Sequence, residues 1–198
     1  MMNNKIFFQN FITNFYDGIE EEIVKVFKRD KIKKLNVKQY GIDGIDYKGN
    51  SKTPLLETIK YIPEEGLTFY FHNEEDIPEA YYSEEIFHTF SLATLIDAIL
   101  QKDKYTKILQ NFYKESEEII FNFLKEQSDE KIDLEDEDYE IIGLGFENGN
   151  YKIVEGNCSE LKIKDGRVYF KINDSDVHIA GINASDLACI LNEVLNID

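Results

Sequence analysis

The chain has 198 residues, of which 42% are hydrophobic and 13% aromatic, and its formal net charge is -17 at pH 7. The high aromatic content excludes intrinsic disorder, and two cysteines are too few for a disulfide scaffold. No stretch approaches the ~18 uncharged apolar residues that a transmembrane helix requires. We therefore expect a cytoplasmic protein with no membrane contact, folded as one domain or two small ones.

Apolar periodicity predicts a helix at the start of the chain and a short sheet after it. Apolar side chains recur at steps of three and four residues over 4–29, and lysines follow, where cations suit the helix dipole. A strand-like region covers 35–47, whereas 55–62 is compatible with a strand or with one to two helical turns. Residues 67–72 have the β-branched and aromatic character of a strand.

Two further helices are predicted in the middle of the chain. An acidic loop, residues 72–82, precedes Ser83, whose hydroxyl suits the N-cap position of a helix over 84–100. A second amphipathic stripe covers 104–127. Because the connection between these helices is short, we expect them to pack as an antiparallel pair.

The last third of the chain carries strong hairpin signals. Asn148-Gly149 and Asp165-Gly166 are dipeptides that favour tight turns between antiparallel strands, and Ser185 suits the cap of a closing helix. The sequence thus predicts an α+β fold: a helical N-terminal two-thirds with a short sheet, then a C-terminal antiparallel β-meander closed by one helix. The meander strands are predicted at 139–146, 151–155, 161–164, 168–172 and 177–182.

Seven acidic residues lie close together before the meander and mark a domain boundary. We predict a mainly helical α+β domain over 1–128, an acidic linker over 129–138, and the β-meander with its helix over 139–198. One continuous domain is the alternative. An EF-hand calcium loop is not predicted here, because the run lacks the glycine required at the sixth loop position.

Charge is distributed unevenly along the chain. Residues 1–60 contain 11 Lys and Arg against 8 Asp and Glu, a net of +3, whereas residues 61–198 contain 11 against 31, a net of -20. A field of this size repels phosphate backbones and attracts basic partners. Only two basic residues are arginine, the side chain that best reads guanine and clamps phosphates. We therefore expect a basic protein partner and no direct nucleic-acid binding.

The predicted contact surface for that partner is the acidic–aromatic segment, residues 74–85, together with the acidic run at 133–138. Aromatic side chains commonly anchor protein interfaces, with polar and charged groups on the rim. The alternative is that the aromatic side chains simply face the core. The predicted contact residues are Glu74, Glu75, Asp76, Glu79, Tyr81, Tyr82, Glu84, Glu85, Asp133, Glu135, Asp136, Glu137 and Asp138.

A different function is indicated by two stretches in the first third of the chain. Gly41-Ile-Asp43-Gly-Ile-Asp46 is followed by Glu57-Thr-Ile-Lys60, and this pattern resembles the core of restriction-endonuclease-like nucleases. The resemblance implies that Asp43 or Asp46 would hold Mg²⁺ together with Glu57. Lys60 would then orient or activate the attacking water. The alternative is a glycine-punctuated hairpin whose aspartates tolerate turn dihedrals.

Binding is favoured over catalysis, because Glu57 and Lys60, three residues apart, would face opposite sides of a strand. We expect a non-enzymatic acidic protein without cofactors that occludes a basic, nucleic-acid-handling protein. Inhibitors, immunity proteins and anti-defence proteins of the nucleic-acid-mimic type use carboxylates in this way, and complementary fields speed their association. A third hypothesis is a structural or assembly subunit that uses the apolar face of the first helix. The sequence leaves the oligomeric state open.

Overall fold

A computed structural model describes residues 4–37, 56–64, 66–71, 80–81, 89–134, 140–147 and 150–195. Within these ranges the chain forms four α-helices and two antiparallel sheets, one of four strands and one of five. The helices and the smaller sheet dominate the N-terminal part, and a β-meander with one helix follows. The predicted α+β class is confirmed.

The helices are α1 (Asn4–Asp30), α2 (Thr89–Leu100), α3 (Tyr105–Lys125) and α4 (Ala184–Val194). α1 and α3 agree with the predicted bounds to within two residues. Residues 82–88, where the second helix was predicted to begin, lie outside the described residues. Ser185 was predicted to cap α4 but lies inside it, since Leu187 N–H already donates to the carbonyl of Asn183 at 2.9 Å.

The first sheet consists of β1 (Lys34–Asn36), β2 (Leu56–Ile62), β3 (Gly66–Phe71) and β4 (Ala80–Tyr81), in that spatial order. Residues 55–62, compatible with helix or strand in the sequence, form β2 over the described part. Leu35 lies opposite Ile59 in the register, and both side chains are buried. One face of this sheet therefore contributes to a hydrophobic core.

The second sheet consists of β5 (Lys131–Asp133), β6 (Glu140–Glu147), β7 (Asn150–Lys164), β8 (Arg167–Ile172) and β9 (Ser175–His178). β7 is its central strand and is 15 residues long, where the sequence predicted two shorter strands. It stays continuous because β6 pairs with its first half and β5 with its second. β9 is shorter than predicted, since a 3-10 helix (Ile179–Gly181) begins directly after His178.

Part of the predicted acidic linker belongs to this second sheet. β5 pairs with β7, the side chain of Leu134 is buried, and its N–H donates to the Ser159 carbonyl at 2.8 Å. The sequence did not predict this strand, because its three residues alternate charged and apolar without a turn signal. Residues 135–139 lie outside the described residues, and the predicted boundary stays a prediction.

The chain divides into two compact units. The first unit is Thr13–Leu109, and the second unit is Met1–Ile12 with Gln110–Asp198. Each has its own apolar core, and burial of this kind stabilises a fold by roughly 25 cal/mol per Å² of apolar surface. Core residues of the first unit include Phe15, Ile19, Ile23, Phe27, Leu35, Ile59, Leu92 and Ile96. Those of the second unit include Phe8, Phe112, Leu124, Leu161, Phe170, Val177, Leu187 and Leu191.

A buried carboxylate connects α2 to α3 in the first unit. Asp97 Oδ1 accepts hydrogen bonds from the N–H groups of Lys104 (2.9 Å) and Tyr105 (2.8 Å), and Oδ2 accepts one from Thr106 (2.8 Å). These are N–H groups that a helix start leaves without intrahelical partners. Burial alone raises the pKa of Asp97, but the N–H donors of Thr106, Tyr105 and Lys104 outweigh it and hold that pKa below its usual value.

The residue after this cap also joins α3 to α1 within the first unit. The side chain of Tyr105 is buried, and its hydroxyl donates to the Gly18 carbonyl at 2.7 Å. Its ring meets that of Phe15 edge-on, with ring centroids 5.7 Å apart. Lys104 pairs with Glu22 beside it. The start of α3 is therefore held by a carboxylate from α2 and by contacts from α1.

Candidate functional site

Two of the thirteen predicted contact residues lie within the described part of the chain. Tyr81 belongs to β4, where it is opposite Thr68 in the register. Asp133 belongs to β5, and its exposed carboxylate lies 3.0 Å from the ammonium of Lys131. The other eleven, Glu74, Glu75, Asp76, Glu79, Tyr82, Glu84, Glu85, Glu135, Asp136, Glu137 and Asp138, lie outside the described residues.

Asp133 belongs to a set of alternating charges on the outward face of the second sheet, which we call the charge ladder. Lysines and carboxylates from β5, β7 and β9 meet on this face, where each acid has at least one lysine partner. Their charges therefore largely offset one another. The pairs are Lys131–Asp133 (3.0 Å), Lys131–Glu160 (3.5 Å), Lys162–Glu160 (3.1 Å), Lys162–Asp176 (2.7 Å) and Lys164–Asp176 (2.6 Å).

The ion pairs of the charge ladder shift the pKa values of their members. Burial raises the pKa of Asp176, but its hydrogen bonds from Lys162 and Lys164 outweigh burial and hold that pKa below its usual value. The hydrogen bond to Asp176 raises the pKa of Lys162 in return. Both groups therefore stay charged at neutral pH, and the face carries paired charges.

The outward side of α3 differs from the ladder. Glu115 and Glu118 are exposed on the helix, and Glu126 and Asp129 are exposed just beyond its end. Among the described residues, no lysine, arginine or histidine forms an ion pair with any of these four carboxylates. This side of the second unit therefore projects negative charge into solvent.

The residues of the nuclease hypothesis are only partly described. Asp43 and Asp46 lie outside the described residues. Glu57 is exposed on β2, where the register with β3 shifts between Leu56 and Thr58. The ammonium of Lys60 lies 3.8 Å from the ring centroid of Tyr70, a cation–π contact. The four residues are therefore not brought together by what is described, and the hypothesis stays a prediction.

A carboxylate–imidazole pair that the sequence did not predict lies in the second unit. Glu117 Oε1 of α3 is 3.2 Å from Nε2 of His178, and it also accepts the N–H of Val168 at 3.2 Å. Nδ1 of His178 accepts the N–H of Ala180 at 3.2 Å, which caps the 3-10 helix. Nδ1 is thus unprotonated, and Nε2 donates to Glu117.

Both ring nitrogens of His178 are therefore engaged inside the protein. A histidine that acts as a general base needs one nitrogen directed at a substrate proton, and this imidazole has none available in the described arrangement. Glu117 instead accepts the N–H of Val168, a residue of β8. The pairing of β8 with β9 ends at Tyr169 and His178, so β9 offers Val168 no partner. The pair stabilises the junction of α3 with the sheet.

A cleft with a volume of about 430 Å³ opens in the first unit, between the end of α1 and the β2–β3 hairpin. Lys28, Lys31 and Lys33 surround it, and all three are exposed. Phe27 and Tyr61 contribute apolar surface. From the sequence alone, these lysines are explained by their position near the C-terminal end of the helix, where cations suit the helix dipole. Their proximity to Tyr61 depends on sheet pairing, which no local pattern reveals.

The two cysteines have contrasting environments. Cys158 is buried in β7, and burial raises the pKa of its thiol to about 12. Cys189 is exposed on α4. Since the thiolate is the reactive form of cysteine, the thiol of Cys158 is chemically inert in the folded protein.

Comparison with known proteins yields no relative: no family model, curated protein or solved structure matches the chain. Among the described residues, no helix is both long enough and apolar enough to cross a membrane. Any function for this protein therefore rests on its own charge distribution and side-chain geometry.

Proposed function

We propose that the protein is a non-enzymatic acidic binding protein that occludes a basic, nucleic-acid-handling protein. The observation that carries this proposal is the net charge of -20 over residues 61–198. Fields of this size raise the rate at which oppositely charged partners meet, and surface carboxylates offer such a partner the charge that phosphates would otherwise provide. The contact surface is the acidic–aromatic segment at 74–85 with the acidic run at 133–138.

The described residues support an outward-directed negative field. The carboxylates of the charge ladder are offset by lysines, but those of Glu115, Glu118, Glu126 and Asp129 have no such partner among the described residues. These four carboxylates therefore add negative charge without a described ion-pair partner to the surface of the second unit. His178, the described histidine, serves the packing of α3 on the sheet.

The proposal is tested by affinity capture from a lysate of the native host at low and at high salt, followed by titration of the purified partner. We expect one basic, nucleic-acid-handling protein at low salt and its release as salt rises, because salt screens exposed charges over about 10 Å. If nothing is retained, or if binding does not respond to salt, the proposal is wrong. Mg²⁺-dependent nuclease activity of the wild type and of Asp43→Ala is then the next measurement.

Two matched variants separate a contact surface from a general field. The first variant neutralises four acids of the segment, and the second neutralises four acids of α3 and its C-terminal end, so both lose the same charge. Only the first is expected to weaken binding, by about tenfold or more. Equal weakening would refute the contact surface. The first carries Glu74→Gln, Glu75→Gln, Asp76→Asn and Glu79→Gln, and the second carries Glu115→Gln, Glu118→Gln, Glu126→Gln and Asp129→Asn.

A further inference from the structure

The cleft at the end of α1 combines two kinds of surface in one place. Its volume of about 430 Å³ falls within the range of about 300–1,000 Å³ that is typical of small-molecule sites. Its lining is mostly apolar, contributed by Phe27, Tyr61, Ile62 and their neighbours. The other lining groups are lysines, so both an apolar body and an anionic group would find complementary surface there.

The lysines of the cleft are available to a ligand. Among the described residues, Lys28, Lys31 and Lys33 form no ion pair, whereas Lys131, Lys162 and Lys164 of the charge ladder all do. Within the described part of the chain, no carboxylate lines the cleft. In a chain with a net charge of -17, this is a local concentration of unpaired positive charge. Ammonium groups bind phosphate and carboxylate as point charges.

One main-chain carbonyl beside the cleft is not free to repel an anion. A helix C-terminus normally presents carbonyl oxygens that would repel one. Here Ile32 N–H donates to the Phe27 carbonyl at 3.1 Å, and Lys31 adopts a φ of 53°, as in a helix-ending left-handed turn. The Phe27 carbonyl is therefore already bonded within the chain.

Aromatic surface defines the apolar part. The rings of Phe27 and Tyr61 have centroids 6.0 Å apart and are tilted by 51°, and the ammonium of Lys28 lies 5.9 Å from the Tyr61 ring centroid. Phe27 is buried, whereas Tyr61 is partly exposed. A planar ring placed against Tyr61 would therefore keep its anionic substituent within reach of the lysines.

We propose that this cleft binds a small planar aromatic anion, of the size and charge of a mononucleotide. The aromatic part packs on Tyr61 and its apolar neighbours, and the anionic group binds the ammonium groups of Lys28, Lys31 and Lys33. The site lies in the first unit and does not depend on the acidic contact surface. This proposal can therefore be tested independently of the proposed function.

The test titrates the full chain with adenosine monophosphate. Binding is measured by calorimetry and by shifts in the amide resonances of residues 27–33 and 61–62. Binding is expected with a Kd on the order of 0.1–1 mM, because the cleft is open to solvent. Adenosine and inorganic phosphate should each bind at least about tenfold more weakly, since each fills half of the site. Octanoate supplies an anion on a flexible chain and should also bind more weakly. If any of the three binds as tightly as adenosine monophosphate, or if that nucleotide does not bind, the proposal is wrong.

A matched pair of variants locates the site. Lys28→Gln, Lys31→Gln and Lys33→Gln together should weaken binding of adenosine monophosphate by about tenfold or more. Lys107→Gln, Lys114→Gln and Lys125→Gln on α3 remove the same charge and should leave the Kd within about twofold. All six lysines are exposed, so both variants should fold, which thermal unfolding verifies. Equal weakening in the two variants would show a general charge effect and overturn the proposal.

Tyr61→Leu tests the aromatic part of the same site. Leucine keeps an apolar side chain but removes the planar face, and stacking on an aromatic ring contributes about 1–3 kcal/mol per base in nucleic-acid complexes, a factor of roughly 5 to 150 in Kd. We expect a loss of at least about fivefold for adenosine monophosphate and none for inorganic phosphate. An unchanged Kd for the nucleotide in a folded variant would contradict the stacking role.

Discussion

The start of α3 in the first unit and the charge ladder of the second sheet hold carboxylates in two different ways. Asp97 is buried and accepts three backbone N–H bonds, whereas Glu160 and Asp176 are partly exposed and meet lysine side chains. In partly exposed ion pairs, solvent screening and the loss of side-chain entropy offset most of the favourable Coulomb energy. The single buried acid should therefore matter more to stability than the larger number of pairs on the sheet.

The largest effect is expected from Asp97→Ala. The substitution removes the carboxylate that accepts three N–H groups at a buried position. Loss of a helix cap whose acceptor is charged should lower the free energy of unfolding by about 2–3 kcal/mol. Urea unfolding measures this difference. Asp103→Ala is the matched control, because Asp103 is exposed and pairs with the equally exposed Lys107. Equal losses in the two variants would contradict the special role of the buried cap.

A second prediction concerns pH. The pKa of Asp97 is lowered in the folded protein, and its value in the unfolded chain is about 3.9. The contribution of Asp97 to stability is therefore complete above the pKa of the unfolded chain. It is lost as the pH falls through the lower pKa of the folded protein. We expect the stability difference between wild type and Asp97→Ala to shrink below about pH 4. Urea unfolding at a series of pH values checks this, and a difference that grows on acidification would contradict it.

A smaller effect is expected from Tyr105→Phe. The substitution removes the hydroxyl that donates to the Gly18 carbonyl and keeps the ring that meets Phe15. Loss of one partly buried hydrogen bond should cost about 1 kcal/mol. Thermal and urea unfolding measure it, with Tyr169→Phe on the second sheet as a control for loss of a tyrosine hydroxyl. A loss as large as that of Asp97→Ala would be unexpected.

The smallest effect is expected from the ladder. Asp176→Asn removes the charge that pairs with Lys162 and Lys164, yet we expect the free energy of unfolding to fall by no more than about 0.5–1 kcal/mol. High salt should reduce this difference further, because partly exposed pairs are screened. Urea unfolding of both proteins at low and high salt measures it. A loss of several kcal/mol would show that the ladder acts as a cooperative network and would reverse the comparison.

Local sequence signals account for much of the fold. The helices α1 and α3 follow from apolar steps of three and four residues, and Asp165-Gly166 forms the predicted turn between β7 and β8. β5 could not be predicted in this way, because its partner in β7 lies far along the chain. The unbroken length of β7 could not be predicted either, because β6, β5 and β8 pair with successive parts of it. Short charged strands such as Lys131–Asp133 form only when a neighbour supplies the hydrogen bonds.

The buried helix cap and the cleft are harder to predict from the sequence. Asp97 is the lone acid in an apolar helix, which is a signal that could have indicated a buried role, but its partners at the start of α3 depend on how the chain turns. The cleft could not be predicted for a similar reason, since only the pairing of the sheet brings Tyr61 close to the lysines at and after the end of α1. The predicted acidic contact surface stays a prediction, because most of its residues lie outside those described.

The different exposure of the two thiols allows local unfolding of the second sheet to be measured on the natural chain. At neutral pH an alkylating reagent should modify the exposed Cys189 quickly, while the buried Cys158 reacts only when β7 separates from its neighbours. The slow phase of modification therefore measures the free energy of local unfolding at the centre of the second sheet. Mass spectrometry of the modified chain would thus follow the stability of this sheet without any engineered probe.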